Sequence, residues 1–294
     1  MLRTFLILSI NLLLFSCGTT SDSKAEVYIL AGQSNMQGIG KLDKIPKSYQ
    51  AKMNNVKFWT GKKFATLDPN FAKISTRMGE FGPEIGFAKV LSKVRPNKTI
   101  YIIKYHASGM PLHHGWNGNR WIGEIPKPLR VNFYGGTGPN DPNRGSLYKK
   151  LSKKCQDALA ALKASGVSYK VAGIVWMQGE QDSKNAVSAD EYAKSLKTLK
   201  TRLQEDTASG DIPFVFGQVL PHEPALMRFG ARRFIRRSMA NAQWNSGHKD
   251  AIPNVWMVPT DGMPLKKDTV HYDAHGQLIL GVTFGLKMIE AQGK

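Results

Sequence analysis

The chain has 294 residues, 41% of them apolar and 21% charged, which is enough to bury a full core and excludes an intrinsically disordered protein. Its formal charge of +19 is spread along the sequence, with one denser cluster in "RFGARRFIRRS" at 228–238. Length alone admits one large domain or two small ones.

The first segment, "MLRTFLILSINLLLFSC", carries one basic residue, Arg3, then a largely apolar run to Phe15 and the pair Ser16-Cys17. That run is too short to span a bilayer comfortably and has the shape of a signal-peptide core. Its end, "LFSC", resembles a bacterial lipobox, in which the cysteine becomes the lipidated first residue of the mature protein. The expectation is a lipoprotein signal peptide at 1–16 and lipidation at Cys17. A small polar tether at 17–25 then leads into a single domain at 26–292. Such a protein is exported and faces the periplasm or the cell surface on a membrane anchor. Nucleic acid is therefore a disfavoured partner. The basic charge suits anionic lipid headgroups or an acidic polysaccharide, or is a solvated surface with no specific partner. With Cys17 lipidated, Cys155 has no intrachain disulfide partner.

Five runs read as strands: 26–31 "EVYILA", 99–105 "TIYIIKY", 170–177 "KVAGIVWM", 213–219 "PFVFGQV" and 254–258 "NVWMV". Most are near-continuously apolar, as parallel strands covered on both faces are. Helical patterns alternate with them. "GPEIGFAKVLSKV" has Pro83 at its first turn, and the helix holding Cys155 ends on Gly166. Ser188 and Glu191 form a capping-box signature, and His275 sits at the start of the last helix. The alternation predicts an α/β fold, a three-layer α/β/α sandwich with right-handed crossovers. Two stretches do not fit it: 38–81, apolar without clear period, and 106–146, a long Gly/Pro/Asn-rich loop of the kind that carries function.

Ligands of open parallel sheets bind beyond the carboxyl ends of the strands. There the sequence places "AGQSNMQG" after the first run, Gly109 after the second, "WMQGEQD" after the third and "PTDGMPLKKDTVHYDAHG" after the fifth. Acyl transfer needs a hydroxyl, an imidazole to take its proton, an acceptor to orient the imidazole, and donors for the oxyanion. Ser34 supplies the hydroxyl, and "DTVH" supplies Asp268 and His271 within one tight turn. The backbone amides of Ser34 and Gly109 and the side-chain amide of Gln178 are the candidate oxyanion donors.

Together "GQSNM", "WMQGEQD" and "DTVHYDAHG", with "GPEIGFA" and "KYHASGMPL", resemble the blocks of the SGNH/GDSL hydrolase superfamily. More narrowly they resemble its carbohydrate-esterase branch, the sialate O-acetylesterase-like and family 6 acetylxylan esterase proteins. The resemblance implies a flavodoxin-like five-stranded parallel sheet of order 2-1-3-4-5 and metal-independent deacetylation of sugar hydroxyls. It implies Ser34 as nucleophile, His271 as base and Asp268 as orienting acid, with Gly109 and Gln178 in the oxyanion hole. Glu180 is the alternative acid. Where the branch often has Gly-Gly in its second block, this chain has Ser108-Gly109.

Other residues have two readings each. Gln33 and Asn35 brace the nucleophile turn, beside the substrate. His106, Trp116 and Trp121 line a sugar cleft, or pack the long loop. Arg228, Arg232, Arg233, Arg236 and Arg237 form a solvated helix face, or recognise a carboxylate or sulfate. The His271/His275 spacing lacks an "HExxH" frame, so no metal and no cofactor is expected. The predicted activity is a serine esterase removing O-acetyl groups from a carbohydrate, an acetylated polysaccharide or a sialic-acid-type sugar. Sialic acid, xylan and sulfated or uronic-acid glycans are all open, and the basic charge only tilts toward acidic ones. The alternatives are a lipase or thioesterase with the same residues, and a non-catalytic glycan-binding lipoprotein.

Overall fold

Strands without a polar face must be covered on both sides, and their polar ends are then the places left for chemistry. The computed structural model describes residues 24–70, 79–116 and 131–294. The leader, Cys17 and Trp121 lie outside the described residues.

In chain order the elements are β1 (Ala25–Gly32), the short helix α1 (Ser34–Gln37), β2 (Gly40–Lys41), β3 (Met53–Trp59) and β4 (Phe64–Leu67). They continue with β5 (Glu80–Phe81), α2 (Glu84–Val94), β6 (Ile100–His106), α3 (Ser146–Ala164) and β7 (Tyr169–Met177). The remainder are α4 (Ala186–Asp190), α5 (Tyr192–Asp206), β8 (Phe214–Gly217), α6 (Arg232–Ala242), β9 (Val255–Val258) and α7 (Ala274–Gln292).

All five apolar runs become strands, and they pair in parallel as β6-β1-β7-β8-β9, the expected order. The main sheet is nevertheless seven-stranded, not five-stranded. β3 adds in parallel to β6, and β4 closes the edge as an antiparallel hairpin partner of β3. These strands come from the stretch without legible period. β3 contains Asn54 and Asn55, residue types depleted in strands, and its pairing with β4 is interrupted by a register shift.

Helices flank the sheet: α2 packs on α7, and α3, α5 and α6 pack in succession. Gly166, with φ +67, ends α3 as the sequence suggests. The Ser188/Glu191 capping box does not form. Ser188 lies inside α4, whose cap is the Asn185 side chain, accepting from Val187 and Ser188 N–H. Cys155 is a buried free thiol.

One buried ion pair ties β6, α1 and α2 together beneath the strand ends. The Lys104 ammonium, 2% exposed, donates to Glu84 Oε2 at 2.6 Å and to the Gln37 carbonyl at 2.8 Å. Glu84 Oε1 accepts the Gly82 N–H at 2.9 Å. Burial pulls Lys104 below its ordinary pKa while Glu84 pulls it back up. Removing one partner of such a pair strands the other charge. Lys104→Met is therefore expected to lower the unfolding free energy by about 3–5 kcal/mol, measured by urea denaturation. The double variant Lys104→Met/Glu84→Leu should recover most of that loss. A single variant as stable as the parent would dismiss the pair as a structural tie.

Candidate active site

Three strand ends meet where β1 stops. The Gln33 N–H donates to the Met177 carbonyl of β7 at 2.9 Å, and Ala107 N–H after β6 donates to the Gly32 carbonyl at 3.0 Å. Gly32 makes this possible, because a Cβ there would lie 2.0 Å from the Met177 oxygen. The Gln33 carbonyl then accepts from Met36 and Gln37 N–H, which starts α1 with Ser34 as its first residue. The "AGQSNMQG" turn thus presents a hydroxyl at the sheet edge.

Opposite it, "DTVH" forms the tight turn that its spacing suggests. Asp268 Oδ1 accepts from Val270 N–H at 3.0 Å and His271 N–H at 2.9 Å. The Lys266 N–H donates to the His271 carbonyl at 2.7 Å. Thr269 sits at φ +57, an unfavourable conformation for a β-branched residue that costs of order 1–3 kcal/mol. Asp268 Oδ2 lies 2.7 Å from His271 Nδ1, and His271 Nε2 lies 2.9 Å from Ser34 Oγ. A carboxylate only accepts, so Nδ1 carries the proton and Nε2 accepts from the Ser34 hydroxyl. Burial pushes the Asp268 carboxyl up, but hydrogen bonds from the His271 amide and ring and the Val270 amide outweigh it and hold it below its ordinary value.

Both loops are held in place by Asn35, 1% exposed. Its Nδ2 donates to Glu180 Oε1 at 2.7 Å and to the Val270 carbonyl at 3.0 Å, and its Oδ1 accepts the Tyr272 N–H at 3.2 Å. The structure therefore brings Asp268, and not Glu180, onto the imidazole. Burial raises the Glu180 pKa against the Asn35 hydrogen bond and the neighbouring His271.

A cleft of about 470 Å³ opens over Ser34 and His271. Gln33, Gly109, Glu180 and Asp268 line it, as do Gln37, Ser108, Lys184, Arg228, Phe229 and Lys266. Gly109 adopts φ +67, the left-handed region open to glycine, in a turn where Ser108 Oγ donates to Gln37 Oε1 at 2.7 Å. Within the described residues no hydrogen bond engages the backbone N–H of Ser34 or Gly109.

Several expected site residues are placed elsewhere. Gln178 is fully buried and does not line the cleft. Its Nε2 donates to the Met110 carbonyl at 3.1 Å and to Asp182 Oδ2 at 2.5 Å, leaving no hydrogen for an oxyanion. It secures the Gly109 turn instead. Asn35 is a buried brace beneath the site and is absent from the described cleft lining. His106 is half-buried beside Lys104 and Lys154, and its pKa is lowered to about 3, first by burial and then by those two cations. Trp116 is buried away from the cleft lining.

The residue that sequence reasoning left without a role is Asp182, the last of "WMQGEQD". It accepts from Leu112 N–H at 2.9 Å, His113 N–H at 2.9 Å and Gln178, and so fixes the loop that carries Gly109. Burial raises its pKa to about 6 against those bonds. A carboxylate inside a quoted motif block was the available signal.

His113, His114 and Glu191 place potential metal-ligand atoms within 4.8 Å of one another. Gly115 N–H donates to His113 Nδ1 at 2.9 Å, so Nε2 carries the ring proton and donates it to Glu191 at 2.7 Å. A metal on Nε2 would need the proton on Nδ1, facing an amide hydrogen. The pair is fitted to structure rather than to a cation.

Asn35→Ala is expected to lower stability by about 2–4 kcal/mol, because it leaves the Glu180 carboxyl and the Tyr272 amide buried without partners. Thermal denaturation of the purified variant measures it. A loss below about 0.5 kcal/mol, the scale of a neutral surface change, would deny Asn35 its bracing role.

Several solved structures share this fold. A protein of Arabidopsis thaliana superposes with a TM-score of 0.67 at 18% identity, covering 91% of this chain and 98% of that one. NanS superposes at 0.60 and 17% identity, covering 91% and 97%, and a carbohydrate acetylesterase from Xanthomonas citri at 0.57 and 15%, covering 91% and 57%. In sequence, a probable carbohydrate esterase of Arabidopsis thaliana is 27% identical over 150 residues, 51% of this chain. The match spans about half of that relative's length, 50%. Residues 24–290 match the family described as "Carbohydrate esterase, sialic acid-specific acetylesterase", and the chain belongs to that family.

Proposed function

We propose that the protein is a serine esterase that removes O-acetyl groups from a carbohydrate. The observation that carries this is the Asp268–His271–Ser34 relay, with bonds of 2.7 and 2.9 Å. Family membership supports the substrate class. Ser34 Oγ attacks the acetyl carbonyl while His271 Nε2 takes its proton. Asp268 holds the ring and balances the imidazolium that forms. The N–H groups of Ser34 and Gly109 donate to the oxyanion. His271 returns the proton to the departing sugar alkoxide, and water then hydrolyses the acetyl-serine by the same relay run again. General-base action contributes roughly 10²–10⁴-fold and each oxyanion donor about 10²–10³-fold.

The cleft favours acetyl over long acyl chains. Among its described lining residues Ile39, Phe229 and Val270 are apolar and the rest are polar, charged or glycine, with no continuous apolar groove among them. A lipase or thioesterase would need a continuous apolar groove. Export on a lipid anchor belongs to the same proposal, resting on the "LFSC" leader. Cys17→Ser should move the protein from the membrane fraction to the soluble exported fraction, and a distribution that does not change would dismiss the anchor.

The deciding experiment is acetate release from a panel of acetylated glycans. Ser34→Ala is expected to lose about 10⁴–10⁶ in kcat, and Asp268→Asn about 10⁴. Glu180→Gln should cost far less than Asp268→Asn. An equal loss would make Glu180 the orienting acid, and full activity in Ser34→Ala would end the esterase assignment.

A further inference from the structure

The basic cluster read as one helix face divides in two in the structure. Arg232 pairs with Glu223, Arg236 with both oxygens of Asp261 at 2.9 and 2.7 Å, and Arg237 with Asp190 at 2.7 Å. These arginines are neutralised by the chain's own carboxylates. Arg228 is not. It precedes α6, its guanidinium stands 4.9 Å from the Phe229 ring centroid, and it lines the cleft over Ser34.

Two further cations share that cleft: Lys184, from the loop after β7, and Lys266, from the turn that carries His271. Among the described residues none of the three forms an ion pair. The two acids in the same lining are already committed, Asp268 to His271 and Glu180 to Asn35. Lys184 is held below its ordinary pKa by burial and then by Arg228, so the two cations repel each other across the site. Three loops thus bring three positive charges, none in an ion pair among the described residues, to one concave surface whose ionised Asp268 is turned to His271. Natural surfaces place like charges together this way where an anion comes to sit between them.

We propose that Lys184, Arg228 and Lys266 form an anion subsite, and that the bound segment of the acetylated glycan carries more than one negative group. Even with Asp268 counted against the three cations, a single carboxylate would leave positive charge unmet in the cleft. The matching chemistry is a polyanionic saccharide, with uronate carboxylates or sulfate esters on the acetylated sugar and its neighbour. The inference rests on the esterase assignment for where the glycan lies, but anion binding can be measured without catalysis.

The test is calorimetric titration of the Ser34→Ala protein with four deacetylated saccharides. These are a neutral xylo-oligosaccharide, sialic acid with its one carboxylate, an oligouronate and a sulfated oligosaccharide. The multiply charged ligands are expected to bind at least about tenfold more tightly than the neutral or singly charged ones, and the gap should shrink as salt rises. Lys184→Gln, Arg228→Gln and Lys266→Gln should each cost about fivefold in that affinity, the upper range for an exposed charge pair. Arg228→Lys should retain most of it, and Arg237→Gln, which removes the same charge elsewhere, should leave it unchanged. Comparing the oligouronate with the sulfated ligand identifies the anion. Equal affinity for neutral and multiply charged saccharides would overturn the subsite, as would an equal loss in Arg237→Gln. Anion binding, with no acetate released by the parent protein from any acetylated glycan of the panel, would instead overturn the esterase assignment and leave the subsite standing.

Discussion

The site depends on one buried carboxamide. Asn35 joins segments that are 145 and 235 residues away in sequence, through Glu180 on one side and Val270 and Tyr272 on the other. A backbone-like amide can donate and accept at once, so one side chain satisfies a carboxylate, a carbonyl and an N–H together. No other residue type of that size does this. Because Asn35 directly follows Ser34, the distance between the Ser34 turn and the His271 turn is fixed right beside the Ser34–His271 hydrogen bond, not through distant packing.

Three acids around the cleft show how environment assigns roles to one functional group. Asp268 is half open to solvent and collects hydrogen bonds from its own turn, which keep it ionised beside an imidazole. Glu180 is buried with one oxygen on Asn35 and the other without a partner among the described residues, so its charged form is disfavoured. Asp182 is equally buried but accepts from two backbone amides and Gln178, and it orders the Gly109 loop. Only the first touches the ring. The other two are positioning residues whose hydrogen bonds keep the loops in register.

What the sequence made legible was local. Strand runs, the Ser34 turn and the Asp268–His271 spacing are each set by a few adjacent residues, and all appear where read. The misplacements share one cause: they turn on which distant atoms a side chain meets. Gln178 looks free in sequence until Met110 and Asp182 occupy its two hydrogens. Trp116 could face a sugar or the interior, and burial decides for the interior. The arginine cluster reads as one patch until Glu223, Asp261 and Asp190, from three other segments, neutralise part of it. β3 was hidden for a related reason, since a strand second from the sheet edge and part open to solvent is not held to a strict apolar pattern.

Burying charge beneath the site has a physical consequence for specificity. Lys104 with Glu84 and Asn35 with Glu180 are desolvated, hydrogen-bonded pairs whose geometry cannot shift without exposing unmet polar groups. They give the reacting groups a rigid base. The cations above them, Lys184, Arg228 and Lys266, sit on three separate loops at the mouth of the cleft and take no part in that base. Changing one of them alters the field a substrate meets without loosening the relay. In the proposed reading, chemistry and substrate choice are thereby carried by different residues with different burial, so the charge of the rim can be changed while the relay is kept.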